Sequence, residues 1–257
     1  MQVVVDSLLT TYDRSDGGGS NPRKNRRTVV LLHGWADNAT SWRQVRESLA
    51  VHYDVIAVNL PGFGGTQKPE GIWGLNEYAV FVAAFLKKIG VKEAYAFVGH
   101  SNGGAMAIRG LANGSLQSEK LVLLAAAGIR TELQGRKKLL RVLTKTGKVL
   151  TYPLPATVRK RLRKQLYTSV GSDMLVAEHM QETFKKVVTD DIQADAAKLT
   201  LPTLLVYGED DRSTPVHYGR ILHNLIAGST LEVLGATGHF VHLDRPSEIE
   251  KLLAEFL

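Results

Sequence analysis

The sequence predicts an α/β protein, a mostly parallel sheet of eight strands covered by helices on both faces. Three observations predict it. Apolar runs of five or six residues alternate with stretches of helical spacing, and strands buried on both faces read as unbroken apolar runs. Several runs stop at a glycine- or proline-bearing turn such as His33-Gly34 or Pro61-Gly62. The chain has 257 residues, enough for one large core and an insertion.

Taken in order, residues 1–30 read as a strand pair joined by the loose loop Asp16-Gly17-Gly18-Gly19-Ser20-Asn21-Pro22. Thr28 to Leu32 is a compact strand. Ser41 to Ala50 has helical spacing through Trp42, Val45 and Leu49. Val55 to Leu60 is a further strand. Asn76 to Ile89 is a helix whose Tyr78, Phe81 and Phe85 lie on one apolar face and belong to the core. Ala94 to Val98 is a buried strand, and Gly104-Ala105-Met106-Ala107-Ile108 opens a helix. Lys120–Ala125, Pro202–Tyr207 and Thr230–Leu234 complete the strands. Arg245 to Leu257 closes the chain as a helix, with Pro246 in its first turn.

Residues 129 to about 192 break this rhythm. They hold no strand-like run, and they offer basic helical pieces around Leu139–Leu143 and Val158–Leu166. The expected organisation is therefore a core of 1–128 and 193–257 with a helical insertion at 129–192 placed over the strand ends. Between Arg130 and Asp191 there are 14 Lys/Arg and 6 Asp/Glu, a balance of +8, whereas the whole chain carries +7. One segment holds the entire excess. Basic amphipathic helices suit anionic surfaces, so an acidic carrier protein or an anionic membrane is a candidate partner. Nucleic acid is not expected, because no recognition motif is present and aromatic residues do not interleave with the charges.

The chain has no cysteine, which excludes disulfides, thiolate metal sites and a cysteine nucleophile. No apolar stretch approaches the roughly 20 residues needed to span a bilayer. Met1-Gln2-Val3-Val4-Val5-Asp6 has no basic leader, so the expected location is the cytoplasm.

The chemistry concentrates at Gly99-His100-Ser101-Asn102-Gly103, between the Ala94–Val98 strand and a helix. A serine between glycines at a strand-to-helix turn is a nucleophile elbow. Glycine is needed at Gly99 and Gly103 because a side chain would collide with neighbouring backbone. Serine needs a base, and the base needs an orienting acid. His239 follows the last strand, and Asp211 follows the strand before it. Asp210 competes with Asp211 for the acid role. The order Ser101, Asp211, His239 is the one this elbow uses. Such residues at strand ends occupy the place where open α/β sheets bind ligands. His33 and His100 read as structural neighbours of the site. His242 reads as structural too, since a metal pair with His239 finds no third ligand at convincing spacing. His52, His179, His217 and His223 read as surface or packing residues.

These motifs, with Leu32-His33-Gly34-Trp35, Leu60-Pro61-Gly62-Phe63-Gly64, Gly208-Glu209-Asp210-Asp211 and Gly238-His239, resemble those of the α/β-hydrolase superfamily over almost the whole chain apart from the insertion. The resemblance implies the α/β-hydrolase fold, a serine esterase or lipase-like activity with no cofactor or metal, and an oxyanion hole from the amides of Trp35 and Asn102. It also implies Asp211 rather than Asp210 as the acid, by its spacing from Gly208, and a cap formed by the insertion that shapes an acyl pocket. Asn102 departs from the hydrophobic residue often found at its position. Haloalkane dehalogenases and epoxide hydrolases of this fold carry aspartate at the elbow, so serine points away from both. The expected substrate is a carboxylic ester of small to medium acyl chain. Lactones, acyl-homoserine lactones among them, use the same machinery. A similarity to pimeloyl-carrier methyl ester esterases keeps a carrier-bound ester open. A non-catalytic binding protein of this fold is the contrary reading.

Overall fold

The computed structural model describes residues 1–15, 26–130 and 178–257. One sheet of eight strands carries them: β1 (Gln2–Val5), β2 (Leu8–Ser15), β3 (Thr28–Leu32), β4 (Asp54–Val58), β5 (Ala94–His100), β6 (Ser118–Leu124), β7 (Thr203–Gly208) and β8 (Ser229–Leu234). Their spatial order is β1-β2-β4-β3-β5-β6-β7-β8. β1 pairs with β2 and β2 with β4 antiparallel, and the other pairings are parallel. The predicted sheet is thus observed.

The apolar runs are unbroken because both faces are covered. Side chains alternate across a strand, so Val29 and Leu31 face one side while Val30 and Leu32 face the other. On the first side lie Trp42, at the end of a 3₁₀ turn (Ala39–Trp42), then Val45 and Leu49 of α1 (Arg43–Leu49), and Ile249 and Leu253 of α8 (Pro246–Phe256). On the second side lie α2 (Leu75–Lys88) and α3 (Asn102–Ala112). Tyr78, Phe81 and Phe85 of α2 are fully buried there, as the spacing predicts. The remaining helices are α4 (Gln181–Thr189), α5 (Gln193–Ala196), α6 (Val216–Leu225) and α7 (Val241–Asp244).

The first strand pair departs from expectation. Val5 pairs with Leu8, so the turn is Asp6-Ser7, with φ of 47° and 68°. Two left-handed residues give a two-residue turn whose twist matches the strands. Asp and Ser occupy that region without the glycine that signals it. The loop Asp16–Pro22 lies outside the described residues. The strand that follows it, β3, pairs with β4 and β5 and not with the hairpin.

Of the expected cap, residues 129–130 and 178–192 are described. The basic runs at 139–143 and 158–166 lie outside the described residues. Where the segment leaves and rejoins the core, the Ile192 amide donates to Gly128 O (3.0 Å), and Arg130 Nε donates to Asp190 O (3.0 Å). α4 is fastened to the start of α2. Asp190 Oδ2 accepts from the Leu75 amide (3.0 Å), and Lys186 pairs with Glu77 at 2.9 Å. Phe184 of α4 packs on Trp35, ring centroids 5.0 Å apart. Met180 covers Gly62, where a β-carbon would meet its Cε at 2.8 Å. No helix among the described residues is long and apolar enough to cross a membrane.

Candidate active site

The end of β5 meets α3 through one strained residue. Ser101 has φ 51° and ψ −116°, a conformation that side chains avoid at a cost of about 1–3 kcal/mol. Its surroundings leave it little choice. Its amide donates to Leu124 O (3.0 Å), and its carbonyl accepts from Ala127 N (3.0 Å) and Ala105 N (3.2 Å). The flanking glycines fill the roles expected of them. A β-carbon on Gly99 would lie 2.6 Å from Gly104 Cα, and one on Gly103 would lie 2.2 Å from Leu32 O. The second clash shows how closely α3 approaches the end of β3.

That end of β3 turns through His33, Gly34, Trp35 and Ala36, the last with φ 59°. His33 is fully buried and tied at both nitrogens. Nδ1–H donates to Gly34 O (2.7 Å), and Nε2 accepts from the Leu60 amide (2.9 Å). This fixes a neutral tautomer. Burial pulls its pKa down against the opposing pull of the Gly34 carbonyl and Asp37. His33 therefore clamps the turn to the Leu60-Pro61-Gly62 loop, a structural role as expected. A β-carbon on Gly34 would sit 2.9 Å from His100 Nδ1 and 3.2 Å from Ser101 Cβ, so the turn abuts the elbow. Asn102 is the first residue of α3, where amides have no intrahelical acceptor. Neither its amide nor that of Trp35 donates to another group among the described residues. The Trp35 indole packs edge-on against Phe63 at 4.9 Å.

The candidate acid and base come from the two strand ends beyond. The Asp211 side chain is fully buried, and its Oδ2 lies 2.8 Å from His239 Nδ1. Its Oδ1 accepts from the amides of Ser213 (2.7 Å) and Thr214 (3.0 Å), and the Thr214 hydroxyl reaches Oδ2 at 2.7 Å. Burial alone would raise the Asp211 pKa. The hydrogen bonds and charge of His239 and the bonds from Thr214 outweigh it and hold the carboxyl below the ordinary value. Donation from Nδ1–H leaves Nε2 of His239 as the free lone pair. Asp210 is exposed and forms no hydrogen bond or ion pair with His239 among the described residues, its amide donating to Thr237 O at 2.9 Å. The Ser101 hydroxyl makes no hydrogen bond to His239 among the described residues. Resting catalytic contacts are often looser than those with substrate bound.

Two further histidines surround His239. His100 Nε2–H donates to the carbonyl of His239 (3.0 Å), and the two rings stand 4.8 Å apart. His242 stacks on Trp42 at 4.5 Å and 19°, with both ring nitrogens buried and unpartnered. Burial, then the neighbouring histidines, push His100 well below the ordinary range. Burial pushes His242 down to about 4. Both are neutral structural residues, in keeping with the sequence. His52, His217 and His223 are exposed, and His179, also exposed, pairs with Gly62 O at 2.9 Å. No group of three or more His, Cys, Asp or Glu side chains among the described residues could hold a metal ion. The residue that sequence reasoning missed is Thr214. Its signal is the local pattern Asp211-Arg212-Ser213-Thr214, in which a carboxylate caps the amides two and three residues on.

Comparison with known proteins identifies the family. Residues 29–252 match the model of the alpha/beta hydrolase family, and the chain belongs to that family. It is 29% identical over 99% of its length to the uncharacterized hydrolase YugF of Bacillus subtilis, covering 96% of that protein. It is 29% identical to the 2-hydroxy-6-oxo-2,4-heptadienoate hydrolase of Pseudomonas putida, over 94% of this chain and 91% of the relative. Among solved structures, it is similar to Est816, described as an N-acyl homoserine lactone degrading enzyme. That likeness has a TM-score of 0.72 and 25% identity, and it covers 100% of both chains.

Proposed function

We propose that this chain is a serine hydrolase of carboxylic esters with small to medium acyl groups, working through Ser101, His239 and Asp211. The observation that carries the proposal is the 2.8 Å contact from buried Asp211 to His239 Nδ1, at the strand ends beside the elbow of Ser101. That contact leaves Nε2 as the proton acceptor. Ser101 Oγ attacks the ester carbon as its proton passes to Nε2. Charge develops on the carbonyl oxygen, where the amides of Asn102 and Trp35 receive it. Losing one such donor costs about 10²–10³ in rate. The Nε2 proton then goes to the leaving alkoxide, and water repeats the cycle on the acyl-enzyme. Asp211 stays ionised, fixing the imidazole tautomer and stabilising the imidazolium.

Trp35 packs on Phe63 and Phe184, and Met180 lies over Gly62, an apolar surround that supports an apolar acyl partner. A second reading is a lactone substrate. It is favoured by the likeness to the acyl-homoserine lactone degrading enzyme over the full length of both chains. Ring opening uses the same attack and the same oxyanion. A substrate panel separates the readings: p-nitrophenyl esters of graded length, an N-acyl homoserine lactone, and 2-hydroxy-6-oxo-2,4-heptadienoate. Fastest turnover of a p-nitrophenyl ester supports the first, and fastest turnover of the lactone supports the second. Turnover of the dienoate alone would overturn both.

A further inference from the structure

Thr214 sits at the junction of acid and base. It is 4% exposed, and its Oγ1 lies 2.7 Å from Asp211 Oδ2, 2.9 Å from the Ala125 carbonyl and 3.1 Å from His239 Nδ1. The hydroxyl has one proton and two acceptors competing for it. The third neighbour, Nδ1, carries its own proton toward Asp211. Asp211 Oδ1 is already taken by two backbone amides. The adjustable hydrogen bonding of the carboxylate therefore lies at Oδ2, where Thr214 is the one hydroxyl donor among the described residues. Ala125 is held in place at φ 48°, its own amide donating to Val206 O at 2.8 Å.

We propose that Thr214 is a positioning residue for the Asp211–His239 pair, its hydroxyl turning between Asp211 and the Ala125 carbonyl as His239 changes charge. With His239 neutral, the hydroxyl donates to Oδ2 and shares the carboxylate charge. When Nε2 takes the Ser101 proton, the imidazolium needs both acceptors. The hydroxyl then donates to Ala125 O, which frees Oδ2 and turns the Thr214 lone pairs toward Nδ1–H. No proton is transferred to Asp211 or Thr214. The proton taken from Ser101 resides on Nε2 until the leaving group removes it.

The surroundings leave this task to few groups. His239 is faced by Asp211 and Thr214 from the loop before α6, by His100 from β5, and by Phe240 and His242 at α7. Asp244 is occupied with the Gly238 amide (2.9 Å), and the Tyr207 hydroxyl with Ala126 O (2.9 Å). His100 and His242 are neutral. The new charge on His239 is answered by Asp211 and Thr214.

This inference rests on the triad reading above. Its test is independent of the natural substrate: covalent labelling by an alkyl fluorophosphonate. Ser101 Oγ bonds to phosphorus, fluoride leaves, and the serine proton goes to His239. The labelling rate is followed from pH 4 to 9 for the wild type, Thr214→Val, Thr214→Ala and Thr214→Ser. The expected result is labelling about tenfold slower in Val and Ala, the loss typical of one hydrogen bond to a charged group. The acid limb moves to lower pH in both, because the base is weaker, and Ser restores rate and limb. Wild-type rate and limb in folded Val overturn the proposal, as does a Ser variant as slow as Val. Failure of Val and Ala to fold while Ser folds also overturns it, by making the hydroxyl a requirement of folding. If Ser101→Ala is labelled as fast as the wild type, the triad reading itself has failed.

Discussion

His100 holds the backbone of His239: its Nε2–H donates to the His239 carbonyl at 3.0 Å, across 139 residues of chain. The residue before Ser101 thus ties the end of β5 to the peptide of His239, the proposed base. Replacing His100 by Leu leaves that carbonyl unpaired, which costs about 1–3 kcal/mol. The expected result is a lower melting temperature and kcat reduced about tenfold on p-nitrophenyl butyrate. Unchanged kcat in a folded His100→Leu variant would show that the contact does not set the base.

Asp211→Asn keeps the shape and loses the charge. In serine triads this change favours the wrong tautomer and costs about 10⁴ in kcat. It also has a pH signature. The folded-state pKa of Asp211 is depressed, so its contribution to stability is complete above the unfolded value of about 3.9. That contribution is lost as pH falls through the lower folded value. Denaturant unfolding should find the wild type more stable than Asp211→Asn at pH 6, with the gap closing below pH 4. A gap that stays constant to pH 2 contradicts the assignment.

His242 produces the opposite liability. It is buried, neutral and unpartnered, with Asp37, Asp244, His239 and His100 as its charged or titratable neighbours and Trp42 stacked on its ring. A folded pKa near 4 against about 6.5 unfolded means that the unfolded chain binds the proton first as pH falls. Stability is full above pH 6.5 and declines between 6.5 and 4, by an amount on the order of 3 kcal/mol. His100 acts in the same direction. His242→Leu should flatten this decline, so that the variant gains on the wild type at pH 5 relative to pH 7.5. Parallel stability curves for the two proteins would refute the idea.

The strain at Ser101 is measurable without any substrate. Glycine adopts φ 51°, ψ −116° freely, whereas alanine has the same β-carbon as serine. Both variants are expected to be inactive. Ser101→Gly should unfold at higher denaturant than Ser101→Ala, by about 1 kcal/mol, the lower end of the strain cost. Equal stability would mean that the elbow stores no strain.

Much of this arrangement was legible in the sequence, and the reasons are physical. Strands buried on both faces, such as Val29–Leu32 and Ala94–Val98, declare themselves because no alternation is needed. The elbow is legible because both glycines answer steric clashes that any other residue would meet. Asp211 and His239 were legible because chemistry at a sheet gathers at strand ends. The Asp6-Ser7 turn was not, since neither residue advertises a positive φ as glycine does. Thr214 was not, because a lone threonine gains meaning only when Ala125 and His239 are brought to it from other elements. His100 reads as a neighbour of the site, but its hydrogen bond to His239 depends on a loop 139 residues away.

The most direct measurement is hydrolysis of p-nitrophenyl butyrate by the wild type and Ser101→Ala, with fluorophosphonate labelling mapped by mass spectrometry. The account predicts turnover by the wild type, a phosphonyl adduct on the peptide containing Ser101, and loss of both in Ser101→Ala. Undiminished hydrolysis in that variant, or an adduct on a different residue, would contradict the assignment of Ser101 as nucleophile.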